Sequence, residues 1–193
     1  MAFLDFLHKV AAAESLSAGE AEQAMGSILE GSATVPQIAA FLVAMRVRGE
    51  TPDDVLGMAR AMRARSAKVD AGNLDDTPLI DTCGTGGGTG GTFNISTVAA
   101  LVLAGCGVRV AKHGNRSFTS HCGSADLMEA LGVTIALSPD RMAACIRNAG
   151  IGFLFAPVLH PAMKNAAPAR AELKMRTAIN LLGPLTNPAG AGH

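Results

Sequence analysis

Leu79-Ile-Asp-Thr-Cys-Gly-Thr-Gly-Gly-Gly-Thr-Gly-Gly-Thr-Phe-Asn-Ile-Ser-Thr97 is the stretch on which the reading of this chain turns. Six glycines fall between Gly84 and Gly91, with hydroxyl side chains at Thr82, Thr85, Thr89 and Thr92. The apolar pair Leu79 and Ile80 leads in, and Ser96 opens the apolar run Thr97-Val-Ala-Ala-Leu-Val-Leu-Ala-Gly105. The order predicts a strand, a glycine loop and a helix N-terminus. Glycine lets backbone N–H groups approach a ligand closely. A helix start adds unpaired N–H donors and the positive end of a dipole, so the loop suits an anion such as phosphate. The Lys-Ser/Thr of a Walker loop is absent, and Gly84-x-Gly86-x-x-Thr89 misses the dinucleotide fingerprint. A loose glycine linker is the plainer alternative, but Phe93, Ile95 and the apolar helix would fix its ends.

Upstream, residues 1–67 read as helices alone and predict a helical N-terminal domain. Ser17-Ala-Gly-Glu20 is a capping box ahead of Ala21, Met25, Ile28 and Leu29, with Gly31 as the stop. Thr34-Val-Pro-Gln37 opens a helix whose Ile38, Phe41, Leu42 and Met45 share one face. Thr51-Pro-Asp-Asp54 opens another, with Val55, Met58, Ala59 and Met62 as its stripe. Stripes of this kind are core or dimer surface more often than ligand sites. Residues 68–78 lose periodicity and read as a linker to an α/β domain over 79–193.

Downstream of the glycine loop, strand and helix alternate. Val108–Lys112 is a predicted strand, 112–123 a polar loop, and a helix runs from Ser124 to Gly132. Val133–Leu137 follows as a strand, then a helix capped by Ser138-Pro-Asp140 and ending at Gly150, then the strand Ile151–Phe155. Such alternation implies a mostly parallel sheet covered by helices, with ligands at the carboxyl ends of its strands. The second polar loop, Lys112-His-Gly-Asn-Arg-Ser-Phe-Thr-Ser120, packs three cationic side chains among hydroxyl groups. Lys112 offers a point charge and Arg116 a planar fork, both suited to phosphate or diphosphate. A solvated basic turn is the plainer reading, weakened by the glycine loop beside it.

Composition narrows the classes. Lysines plus arginines equal the acids at 16 each, so no broad basic field serves nucleic acid. Cys83, Cys106, Cys122 and Cys145 form no CxxC pair, which predicts reduced thiols in a cytoplasmic protein. The N-terminus lacks the apolar core of a signal peptide, and no run of about 18 apolar residues could span a membrane.

Together, Gly84-Thr-Gly-Gly87 running into Thr92-Phe-Asn-Ile-Ser-Thr97, Lys112-His-Gly-Asn-Arg116 and Gly123-Ser-Ala-Asp126 resemble the anthranilate phosphoribosyltransferase family. The likeness extends to Gly49-Glu-Thr51, His160-Pro-Ala-Met-Lys164, Arg176-Thr177 and Asn180-Leu-Leu-Gly-Pro-Leu-Thr-Asn-Pro188. The resemblance implies a helical domain followed by an α/β domain of the nucleoside phosphorylase/phosphoribosyltransferase type. It implies magnesium-assisted transfer of 5-phosphoribosyl from phosphoribosyl diphosphate to the anthranilate nitrogen, in tryptophan biosynthesis. Carried over by motif, Gly84, Asn115 and Arg170 would contact anthranilate, and Lys112, Asn115 and Arg170 would be catalytic. Gly84, Gly87, Gly88, Thr92, Asn94, Ile95, Ser96, Thr97, Lys112, His113, Gly114, Asn115, Arg116, Ser117, Phe118, Thr119, Ser120 and Ser124 would hold the donor. Ser96 would also ligate Mg2+, an ion that takes oxygen ligands and leans on substrate phosphates. An aniline nitrogen needs no strong base, so neither His113 nor His160 is required as one. The family pattern further implies a homodimer through the helical domain, with no nucleic-acid or membrane partner.

Two departures stand out. Gly88 occupies the place of an aspartate in the usual Gly-Thr-Gly-Gly-Asp-Gly loop. Family members also continue beyond the position of His193 with an Asp-Glu pair that binds magnesium. The expectation is an amino-terminal portion of the enzyme, truncated at its C-terminus, with little or no activity alone. Two competing readings are a pyrimidine nucleoside phosphorylase, which shares the fold but has a Lys-His-Ser type loop, and a non-catalytic relative that binds nucleic acid or a partner.

Overall fold

The computed structural model describes residues 1–74, 77–85, 93–117 and 122–193. Its residues group into two compact units, one of 1–65 with 162–185 and one of 66–161 with 186–193.

The first unit contains α1 (Phe3–Ala11), α2 (Ala18–Glu30), α3 (Val35–Arg48), α4 (Pro52–Ala64), α9 (Ala167–Leu173) and α10 (Ala178–Leu182). Each long helix starts where its caps dictate. Ser17 Oγ accepts from the Glu20 N–H at 3.3 Å, and the Glu20 carboxylate accepts from the Ser17 N–H at 2.8 Å. Gly31 ends α2 at φ 76°, the left-handed conformation that favours glycine. Thr34 and Gln37 mark the start of α3, and Thr51 caps α4 through the Asp54 N–H at 3.2 Å. The buried core joins Phe6, Met25, Ile28, Ile38, Phe41, Leu42, Met45 and Met58 with Ala166, Ala169, Ile179 and Leu182. Helices α2 and α4 approach so closely at Gly57 that a Cβ there would lie 2.1 Å from the Ala18 carbonyl oxygen. Asp54, fully buried, is held by an ion pair with Arg48, whose guanidinium also donates to the Glu14 carbonyl.

The second unit holds β1 (Leu79–Ile80), α5 (Ile95–Gly105), β2 (Arg109–Gly114), α6 (Ser124–Ala130), α7 (Pro139–Ala149), β3 (Ile151–Phe155) and α8 (Ala156–Leu159). Its strands form a parallel sheet in the order β1-β2-β3, as the alternating pattern predicts. Leu79 and Ile80 pair with Arg109 and Val110, and β2 pairs with β3 from Val110↔Ile151 to Gly114↔Phe155. Ala111, Leu154, Met142, Ile146, Ala125 and Leu159 form the core on this sheet.

Two expectations need correction. Val133–Leu137 forms no strand; its alternation is met by packing Ile135 and Leu137 onto the core without a pairing partner. The strand β2 runs on to Gly114, so His113 and Gly114 lie in the sheet and not in the polar loop. Residues 161–182 form a 3-10 turn at Pro161–Asn165, then α9 and α10, broken where Lys174 takes φ 47°. Residues 162–185 pack with the helices because Ala166, Ala169, Ala178, Ile179 and Leu182 complete that core. The expected linker buries Val69 and Ala71, and the Ala67 and Val69 N–H groups donate to the Leu159 and Pro188 carbonyls.

Candidate active site

The α/β unit brings the two polar motifs together at the carboxyl ends of β1 and β2, where a parallel sheet presents its loops. Asp81 follows β1 directly, and its Oδ1 accepts from the Cys83 N–H at 2.9 Å and the His113 N–H at 3.1 Å. The start of the glycine loop is thereby tied to the end of β2. Gly84 and Thr85 are exposed. The loop's far side is anchored too: Thr82 Oγ1 donates to the Ser96 carbonyl at 2.7 Å, joining it to the first turn of α5.

Asn94 is the N-cap residue of α5 and makes no side-chain capping bond. Its amide instead donates to Cys122 Sγ at 3.4 Å. Ile95 is exposed, Ser96 half-buried and Thr97 buried. Thr97 Oγ1 is buried with no hydrogen-bond partner. Hydroxyl oxygens on a helix's first turn, beside its N–H groups, make a donor set that suits phosphate and magnesium.

On β2, Lys112 is buried and its ammonium donates to the His113 carbonyl at 3.0 Å. Burial lowers its pKa, while the neighbouring Cys83 and Asp81 pull it back upward. The same burial, with Asp81 nearby, pushes the Cys83 thiol up to about 11. A protonated thiol is a poor nucleophile, so Cys83 is no candidate for covalent catalysis. His113 packs against His160 with ring centroids 5.1 Å apart. His160 Nε2 is buried without a partner, and burial, helped by His113, brings its pKa down to about 4. His160 is neutral at pH 7.

The end of β2 lies against the start of α6. Gly114 is required there, because a Cβ would sit 2.4 Å from Ser124 Oγ and 2.6 Å from the Phe153 ring. The Asn115 N–H donates to Ser124 Oγ at 3.2 Å, and that hydroxyl donates to the Asn115 carbonyl at 3.3 Å. Asn115 is thus fixed through the helix start that carries Ser124. Arg116, expected on the donor, has its guanidinium on Asp126 at 2.9 Å and Glu129 at 2.6 Å, about 5.9 Å over the Phe155 ring. Both carboxylates raise its pKa. Asp126 also accepts from the Gly123 N–H at 2.8 Å and the Ser117 N–H at 3.4 Å.

Of the remaining expected residues, Gly87, Gly88, Thr92, Phe118, Thr119 and Ser120 lie outside the described residues. Arg170 belongs to the helical unit, on α9, where burial lowers its pKa. Among the described residues, the ligand atoms of Asp81, Cys83 and His113 lie within 4.8 Å of one another. Their sulfur and nitrogen atoms do not suit magnesium. The Asp81 oxygens are already engaged, and the Lys112 charge acts on both Asp81 and Cys83.

Two residues of this site, Asp81 and Asn187, are assigned no role by the sequence reading. Asn187 is buried, and its Nδ2 donates to Asp81 Oδ2 at 2.8 Å and to the Ala111 carbonyl at 2.9 Å. A polar residue directly after a buried strand is the available signal for Asp81. Asn187 falls within the Asn180–Pro188 motif, but nothing in the motif marks its role here.

Comparison with known proteins agrees with this architecture. A family model described as "Glycosyl transferase family, helical bundle domain" matches residues 4–66, and one described as "Glycosyl transferase family, a/b domain" matches residues 76–193. The anthranilate phosphoribosyltransferase of Solibacter usitatus is 58% identical over 191 residues, 99% of this chain and 56% of the relative. That of Rubrobacter xylanophilus is 57% identical, over 96% of this chain and 53% of its own length. The chain therefore spans about half the length of the curated relatives it matches. A crystal structure of the Thermus thermophilus anthranilate phosphoribosyltransferase superposes with a TM-score of 0.88 at 49% identity, covering 97% of this chain and 56% of that one. The Saccharomyces cerevisiae anthranilate phosphoribosyltransferase in complex with PRPP and Mg gives 0.84 at 30% identity, over 97% of this chain and 55% of the yeast chain. With a helical bundle, a parallel α/β unit and both family models in sequence, the chain belongs to this glycosyl transferase family.

Proposed function

We propose that this chain serves an anthranilate phosphoribosyltransferase, which moves 5-phosphoribosyl from phosphoribosyl diphosphate to the anthranilate nitrogen in tryptophan biosynthesis. The observation that carries the reading is the joining of the glycine-loop entry to the Lys112–Asn115 strand end through Asp81. The names of the similar proteins support the substrate pair.

In this reading the α5 N-terminus, with Ser96 and Thr97, takes the donor's phosphate oxygens, and Lys112 meets the diphosphate. A lysine held away from water gains electrostatic leverage on the charge that develops as the diphosphate leaves. Asn115, fixed through Ser124, and Gly84 line the acceptor's side. Ser96 would hold magnesium, which when bound supplies neutralisation of the diphosphate charge. Arg116, paired with Asp126 and Glu129 in the ligand-free chain, is also assigned to the donor's phosphates. Positioning and charge stabilisation carry the rate, so no general base is assigned to His113 or His160.

We further assign the chain to a cytoplasmic homodimer through the helical unit. Half-exposed Leu56 and Leu185, lining one concave patch of that unit with Val55 and Leu181, support it. Light scattering at micromolar concentration reads this directly: a dimer is expected and a clean monomer contradicts it.

The test of the substrate class is thermal protection. Phosphoribosyl diphosphate with magnesium should raise the unfolding midpoint, whereas a pyrimidine nucleoside with phosphate should not. Protection by the nucleoside alone would favour a nucleoside phosphorylase and reject this reading.

A further inference from the structure

The strand β2 is longer than the strand beside it. Beyond Ile80, β1 no longer pairs, while β2 continues to Gly114 against β3. The Val110 N–H points to β3, donating to the Gly150 carbonyl, so the backbone groups of Ala111 and His113 point to the side that β1 has left. In a buried sheet such groups need partners. Two side chains provide them. The Asp81 carboxylate accepts from the His113 N–H at 3.1 Å, and the Asn187 amide donates to the Ala111 carbonyl at 2.9 Å. Asn187 also donates to Asp81 at 2.8 Å, and its Oδ1 accepts from the Ala189 N–H at 2.9 Å. The residue bracketed by these two bonds is Lys112.

We propose that Asp81 and Asn187 form a positioning pair that replaces the missing strand and sets the place of Lys112 and of the glycine-loop entry for donor binding. Ending β1 early opens space at the strand ends for a ligand loop, and the side-chain pair keeps β2 straight without closing that space. Asp81 reaches both motifs, because the oxygen that takes the His113 N–H also takes the Cys83 N–H at 2.9 Å. This inference rests on the phosphoribosyl diphosphate reading, which names the ligand that the pair serves.

The experiment is a calorimetric titration with phosphoribosyl diphosphate and magnesium of the wild-type chain and of Asn187→Ala, Asp81→Ala and Asp81→Asn. Ile146→Val, a core truncation behind β3, is the stability-matched control. Each alanine variant should weaken donor binding at least tenfold. Asp81→Asn keeps an oxygen for both N–H groups but turns an amide toward the Asn187 Nδ2 donor, so it should weaken binding, though less than Asp81→Ala. Ile146→Val should stay within threefold of wild type. Should Asp81→Ala not fold, Asn187→Ala and Asp81→Asn carry the comparison. Amide hydrogen exchange gives a ligand-free reading: His113 should exchange at least tenfold faster in Asn187→Ala, with Leu154 unchanged. Wild-type affinity and wild-type exchange in folded Asn187→Ala overturn the pair. A wild-type chain that ignores the donor refutes the functional reading instead. In that case the His113 exchange rate alone upholds or overturns the pair's hold on the strand.

Discussion

Replacing His160 should change how the α/β unit responds to acid. The ring is buried against His113, its Nε2 has no partner, and its pKa falls from 6.5 to about 4. The unfolded chain therefore binds a proton that the folded chain refuses. Stability rises with pH wherever the unfolded state holds more protons. The contribution is complete above pH 6.5 and is lost as pH falls toward 4. Between pH 7 and pH 5 the linkage relation gives a loss of about 2 kcal/mol, approaching about 3 kcal/mol near pH 4. Urea denaturation at pH 7 and pH 5 measures it, comparing wild type with His160→Phe, which keeps a ring at the position and cannot titrate. The variant should lose about 2 kcal/mol less than wild type between the two pH values. Equal losses would refute the argument that His160 is buried in its neutral form.

Other perturbations report on the frame. Gly57→Ala should destabilise the helical unit by about 2 kcal/mol despite better helix propensity, because the new methyl meets the Ala18 carbonyl of α2. An unfolding midpoint at or above wild type would show that α2 and α4 can separate without loss. Ser17→Ala should cost about 1 kcal/mol by removing the acceptor for the Glu20 N–H, measurable in urea. An unchanged midpoint would show that the cap contributes nothing.

Much of this structure is written locally in the chain, and that part is legible. Ser17 with Glu20, Thr34 with Gln37 and Thr51 before Pro52 each mark a helix within a residue or two, because caps act over a single turn. The strands β2 and β3 announce themselves by β-branched and apolar runs between helices. Val133–Leu137 carries the same signature without becoming a strand, since pairing needs a neighbour that no local pattern supplies. The segment 161–182 looks helical by composition, yet Lys174 interrupts it, and the chain restarts at Thr177, whose N–H donates to the Asn180 side chain.

The site divides in the same way. Lys112, Asn115 and Ser124 are readable from motif, and the structure gathers them at the end of β2. Asn187 lies in the Asn180–Pro188 motif, but its role does not show there, because its partners Asp81 and Ala111 are far away in the sequence. The pairing of Arg116 with Asp126 and Glu129 is not legible in the sequence, because those carboxylates come into reach only once α6 is folded.

The central claim is that the loops at the ends of β1 and β2 form a donor site served by Lys112. Isothermal titration of the wild-type chain with phosphoribosyl diphosphate and magnesium, repeated on Lys112→Ala, tests it most directly. Removing a buried ammonium from a diphosphate should weaken binding at least tenfold, a change of about 1.4 kcal/mol or more. Saturable wild-type binding with that loss in a folded variant is the predicted result. Equal affinity in the two proteins would contradict the account.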